Sequence, residues 1–260
     1  MNVTLPLANL EVVLLVGVRI AAFLVVAPPF AHKAVSGKVK AMLAMGLAIA
    51  AGPRAAAAAG PAAGQAIASG TAAFLGDVLM QALVGLALGF LVALVFYAVQ
   101  SAGNLIDLFG GFQVAQAFDP MSMVNGAQFS RFYQLTAMVL LFASDAYQIV
   151  IAGLVRSFDA LPLGTPLDLA AMAQVTTHGV TDMFVSALQI AGPLIAVLFL
   201  ADAGLGLLTR VAPALNAFAL GFPLKILLTL SLGAMAYLAL PQIVSTLTGA
   251  GLESIVEVTR

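Results

Sequence analysis

Long apolar runs separated by short polar joints are the dominant pattern of this chain. Five runs stand out, at residues 10–29, 78–99, 132–155, 183–208 and 218–240. A sixth starts at Ala41, meets Pro53-Arg54 after twelve residues, and reaches 63 only if the following Ala-rich stretch continues it. A hydrocarbon core about 30 Å thick requires roughly 20 helical residues, so four or five of these runs are long enough to cross it. No region alternates in the ten-residue segments of an outer-membrane barrel. The pattern predicts an all-α chain of about six apolar helical segments. Several of these are kinked or interrupted by Pro28-Pro29, Pro53, Pro193 and Pro223, and all belong to a single helical unit over 1–260.

Composition turns this pattern into a membrane assignment. Apolar residues make up 62% of the 260 positions and charged residues only 8%, against roughly 25% charged in an ordinary soluble domain. That charge is too little to cover a water-facing surface, which excludes a cytosolic enzyme. The absence of cysteine excludes thiolate zinc sites, iron–sulfur clusters, redox dithiols and a lipoprotein anchor. Ten basic and eleven acidic residues leave no basic footprint for nucleic acid. The first ten residues carry no Lys or Arg, so the first run is expected to remain as a structural span. Between the runs, Lys33, Lys38, Lys40, Arg131, Arg210 and Lys225 fall on one side, and Arg54, Arg156 and Arg260 on the other. This bias predicts extracytoplasmic termini.

Two connections differ in character. Residues 51–73 are low-complexity Ala, Gly and Pro, a spacer or loosely packed helix. Residues 100–130 mix Gln, Asn, Asp and Gly with Leu, Ile, Phe and Met, too polar to span lipid and too apolar for a solvated loop. Within them the stretch 103–123 reads as a central loop with a joint at Gly110-Gly111, where positive φ is accessible. Phe109, Phe112 and Phe118 flank the joint, and the adaptable Met121 and Met123 follow. Such a joint could fill a pore and move aside, or it could be a re-entrant turn packed on other helices.

Signatures of catalysis are absent. There is no H-E-x-x-H, no phosphate-cradling glycine loop ahead of Ser36-Gly37-Lys38, and no G-x-S-x-G elbow. No enzyme activity, metal or cofactor is therefore expected. Arg19 and Asp145 fall within apolar runs, where a lipid-facing charge costs about 2.5 kcal/mol or more. They fit either an ion path, as in an ion-coupled secondary transporter, or structural pairing with each other or with a neighbouring subunit. Asp77, Asp202 and Lys225 lie near run ends, where the interface is within reach. Gly85 and Gly89 form a small-xxx-small face suited to close helix approach.

Two blocks carry a resemblance to a known family. The first is Gly103, Ile106, Asp107, Gly111 and Phe112 in the spacing G-x-x-I-D-x-x-x-G-F, ending in Asp119-Pro120. The second is Arg210, Pro213, Asn216 and Phe218 in the spacing R-x-x-P-x-x-N-x-F, followed by Lys225. With Pro29-Phe30 and the basic loop to Lys40, they make nearly the whole chain resemble the flagellar biosynthetic protein FliR family, whose virulence-system relatives are the T subunits of type III secretion. Ala214 stands where that family often has Gln, and Ser36-Gly37 where Pro is frequent. The resemblance implies a non-enzymatic subunit of an export gate in the bacterial inner membrane, at the flagellar basal body. There it would assemble with FliP and FliQ into a helical pore held partly above the bilayer. FlhA, FlhB and an export ATPase would supply energy and sorting, with unfolded flagellar proteins in transit. It also implies a plug role for Gly110, Gly111, Phe112 and Gln113, with Phe109 and Phe118 beside them.

Overall fold

The computed structural model describes residues 7–32, 34–60, 70–112, 128–166, 168–212 and 219–233. Among these residues there are seven helices and no strand. They are α1 (Leu7–Val26), α2 (Gly37–Ala59), α3 (Thr71–Phe109), α4 (Gln128–Ala143), α5 (Ala146–Ala160), α6 (Leu169–Val211) and α7 (Ala219–Gly233). The chain is a helical membrane protein. α2, α3 and α6 are each long and apolar enough to cross a membrane, and α4 with α5 forms a broken candidate span.

Two compact units share these helices. One takes α1, α2, α5 and the parts of α3 and α6 up to Leu94 and Val180; the other takes α4, α7 and the remainder of α3 and α6. In the first unit α1 and α2 pack along each other. The inner face of α2 is made of small residues, Ala44, Ala48, Ala51, Gly52, Ala55 and Ala59. A β-carbon at Gly17 would touch that of Ala48 at 3.6 Å, and one at Gly52 would touch Val13 at 3.4 Å, so the two backbones lie close. The outer face of α2 carries Val39, Met42, Met45 and Ile49, all exposed. Residues of that kind suit an apolar surround of lipid or protein rather than water.

α3 crosses α1 at the small-xxx-small pair. A β-carbon at Gly85 would collide with the Arg19 carbonyl oxygen and lie 2.9 Å from Ala22 Cβ, and one at Gly89 would lie 2.9 Å from the Phe23 carbonyl oxygen. Only glycine admits this backbone-to-backbone approach.

The structure settles one helix boundary that the sequence leaves open and departs from the expectation at three others, each for a local reason. α2 continues through Pro53, since the proline forfeits one backbone bond and the alanines after it have the highest helix propensity. α6 likewise continues across Pro193 and starts well before residue 183, where Asp168 caps it by accepting from the Ala170 and Ala171 amides at 2.9 and 3.1 Å. α3 continues to Phe109, so residues 103–109 of the expected central loop are its last two turns. The run 132–155 is not one helix. It breaks at Ser144–Asp145, where Asp145 has φ +55°, the left-handed region that ends a helical ladder.

Candidate gating site at the end of the long helix

The spacing that begins at Gly103 has a structural meaning within the second unit. A β-carbon at Gly103 would lie 2.5 Å from Ser130 Cα and 2.7 Å from its nitrogen. The bare glycine therefore lets the first turn of α4 settle directly on α3. One turn later Asp107, fully buried, receives that helix end: its Oδ1 accepts from the Phe129 amide at 3.0 Å and its Oδ2 from the Ser130 amide at 2.9 Å. The first amides of a helix have no partner within it and carry its positive dipole end, which is why a carboxylate fits there. Ile106, also fully buried, fills the remaining gap on that face. Asp107 had been legible only as a motif position; its capping of α4 comes from the fold.

α3 then stops at the glycine pair. Gly110 donates to the Ile106 carbonyl at 2.8 Å, and Gly111 takes φ +80°, the left-handed cap of a helix end. Both glycines are buried. A β-carbon at Gly110 would sit 2.7 Å from Thr229 Oγ1 on α7, and one at Gly111 would reach Phe222 at 3.7 Å. Phe112 follows and meets Phe129 edge-on, with ring centroids 5.3 Å apart. Phe129 in turn packs where Gly233 leaves room: a β-carbon there would be 3.0 Å from its ring. The end of α3, the start of α4 and one face of α7 thus close around a two-glycine turn tipped by a phenylalanine. The carboxylate in this arrangement, Asp107, is committed to the α4 amides. The turn is a candidate joint, two conformationally permissive glycines followed by a packed phenylalanine.

The remaining candidate residues divide clearly. Phe109 is the last residue of α3 and half-buried. Arg210 lies in the last turn of α6, where a cation favours the negative end of the helix dipole. Asp202 on α6 and Lys225 on α7 form an ion pair at 2.7 Å, so they join two helices rather than reaching separately for an interface. Gln113, Phe118, Asp119, Pro120, Pro213, Asn216 and Phe218 lie outside the described residues.

Arg19 and Asp145 are not brought together. Arg19 is buried in the first unit, with Nε donating to Gln81 Oε1 at 2.7 Å, Nη1 to the Ser157 carbonyl at 3.0 Å and Oγ at 3.3 Å, and Nη2 to the Leu161 carbonyl at 2.7 Å. Its guanidinium lies over the Phe158 ring, 4.3 Å from the centroid. The planar fork thereby pins α1 to α3 and to the carbonyl end of α5. Asp145 is exposed at the break before α5, its Oδ1 accepting from Gln148 Nε2 at 3.3 Å. Gln81 was visible in the sequence as the one polar interior residue of its run; Ser157 and the Leu161 carbonyl gave no signal. A further bridge, Arg54 to Asp159 at 2.6 Å, ties α2 to α5 on the surface.

Comparison with known proteins fits this geometry into a lineage. The flagellar biosynthetic protein FliR of Escherichia coli (strain K12) is 34% identical over 215 residues, 82% of this chain and 79% of that protein. FliR of Caulobacter vibrioides is 25% identical over 236 residues, 91% and 92% of the two chains. The Yop proteins translocation protein T of Yersinia pestis is 27% identical over 145 residues, 55% and 56% of the two. Residues 10–250 match the bacterial export proteins, family 1, and the chain belongs to that family.

Proposed function

We propose that this chain is a non-enzymatic, pore-forming subunit of the flagellar type III protein export gate. Its family and relatives make it a component of a flagellar or type III export apparatus. The finer reading is that it assembles with FliP and FliQ, next to FlhA and FlhB, in the bacterial inner membrane, and lets unfolded flagellar proteins pass. The exposed apolar faces of α2 and α6 support a place among other subunits, since Met42, Met45, Phe184 and Leu200 all point away from the chain's own packing.

One observation carries the gating part of the reading: the Gly110–Gly111 turn with Phe112 packed against Phe129. In this role Phe112 and its neighbours form the movable element that closes the passage, and Asp107 and Gly103 hold the frame on which it swings. Deleting residues 110–112 in the assembled complex is expected to raise ion conductance across the membrane, measured in planar bilayers or as leak in cells. Conductance equal to that of the unaltered complex removes the gating role. Co-expression with the partner subunits is expected to give a defined complex, and a stable, solute-binding monomer would sink the subunit reading.

A further inference from the structure

Tyr133 on α4 is completely buried, and its hydroxyl has no hydrogen-bond partner among the described residues. Buried polar side chains are almost always paired, so an orphaned one calls for a physical reason. Its ring lies 6.3 Å from Phe129 and 6.2 Å from Phe132. Phe129 is the residue on which Phe112 packs. A row of aromatics, Phe112, Phe129 and Tyr133, therefore runs from the glycine turn to the orphaned hydroxyl. The backbone supplies a second link, because Asp107 holds the Phe129 and Ser130 amides at the start of the same helix.

The neighbouring polar groups are satisfied. Asp107 has its two backbone donors, and Thr229, also fully buried, donates to the Lys225 carbonyl at 2.7 Å. The unmet donor is confined to one atom. A residue needed only to fill this space would be phenylalanine, which keeps the ring and carries no group that resists burial.

We propose that Tyr133 is a positioning residue that sets the balance of the gate. Its hydroxyl is unsatisfied in the packed arrangement and gains an acceptor when Phe112 withdraws from Phe129, while Asp107 keeps its hold on the start of α4. The packed arrangement is thus held at only a slight advantage, and a passing substrate can displace it. This rests on the gating role assigned to Gly110–Phe112.

The test is Tyr133→Phe in the full complex, which deletes the donor and leaves every ring contact. The packed state should be favoured about tenfold, as expected for removing one unmet buried hydrogen-bonding group. That reads out as a roughly tenfold lower open probability in planar bilayers, slower export of a reporter substrate, and a higher thermal midpoint of the purified complex. An unchanged or lower midpoint means the hydroxyl is bonded in the assembly and overturns the proposal. A higher midpoint with unchanged opening overturns the coupling to the gate. Failure of the gating role itself shows separately, as deletion of 110–112 without added conductance.

Discussion

Replacing Asp107 tests the frame of the gate most directly. Its carboxylate is fully buried and accepts two backbone amides from the start of α4, at 3.0 and 2.9 Å. Hydrogen bonds to a charged group contribute about 1.5–3 kcal/mol each. Asp107→Ala deletes both acceptors and leaves the two amides of α4 without their partner beside α3. The expected loss is about 3–5 kcal/mol, a large fraction of the 5–15 kcal/mol that typically separates folded from unfolded protein. Asp107→Asn keeps one oxygen acceptor and loses the charge and the second bond, so its cost is about half as large. The assay is denaturant unfolding of the purified complex in detergent, with limited proteolysis at the start of α4 as a local readout. The order Asp, Asn, Ala in falling stability is the expected result. An Ala variant within about 1 kcal/mol of the parent, or an Asn variant as damaged as Ala, refutes the capping role.

Two further outcomes follow from close contacts. Gly103→Ala places a methyl group 2.5 Å from Ser130 Cα and should cost about 1–3 kcal/mol by forcing α4 off α3, read as a lower unfolding midpoint and higher conductance; a silent substitution refutes the tight approach. Arg19→Lys keeps the charge and loses the fork that reaches Gln81, Ser157 and Leu161 together, so at least one charge-assisted bond of about 1.5–3 kcal/mol is lost; an unfolding midpoint equal to that of the parent refutes the pin.

Much of the architecture was legible because apolar periodicity reports helices directly. The cores of α3, α6 and α7 coincide with runs read from the sequence, and the Gly85–Gly89 face packs as its spacing suggests. The errors arise at polar residues whose surroundings the sequence does not show. The stretch from Gly103 reads as the start of a loop, yet Asp107 lies inside α3 because the α4 amides offset its burial cost. Asp145 looked like a charge inside a span, and it marks a break instead, because nothing in a single sequence distinguishes a buried charge from a left-handed turn residue. The glycine joint was visible as chemistry, but its walls were not. Thr229, Phe222 and Phe129 come from two other helices and have no local pattern that points back to Gly110.

Among the described residues, charged groups of the apolar helices such as Arg19, Asp202 and Lys225 are held by partners, which speaks for the proposed gate over a carrier. An ion-coupled carrier needs charged groups that can change partners along a path. Arg19 cannot do so cheaply. Its fork is committed to three residues on two other helices, and releasing it would strand Gln81 and the carbonyl end of α5 in a buried setting. Asp145 has its own local partner and faces outward. Asp202 and Lys225 hold each other across α6 and α7, and Arg54 and Asp159 do so across α2 and α5. With these groups locking helices, the proposed gate is left to uncharged groups, the glycine turn and its aromatic tip. Under that proposal closure is by shape, which would suit a long, chemically varied polypeptide because no single side chain has to be recognised.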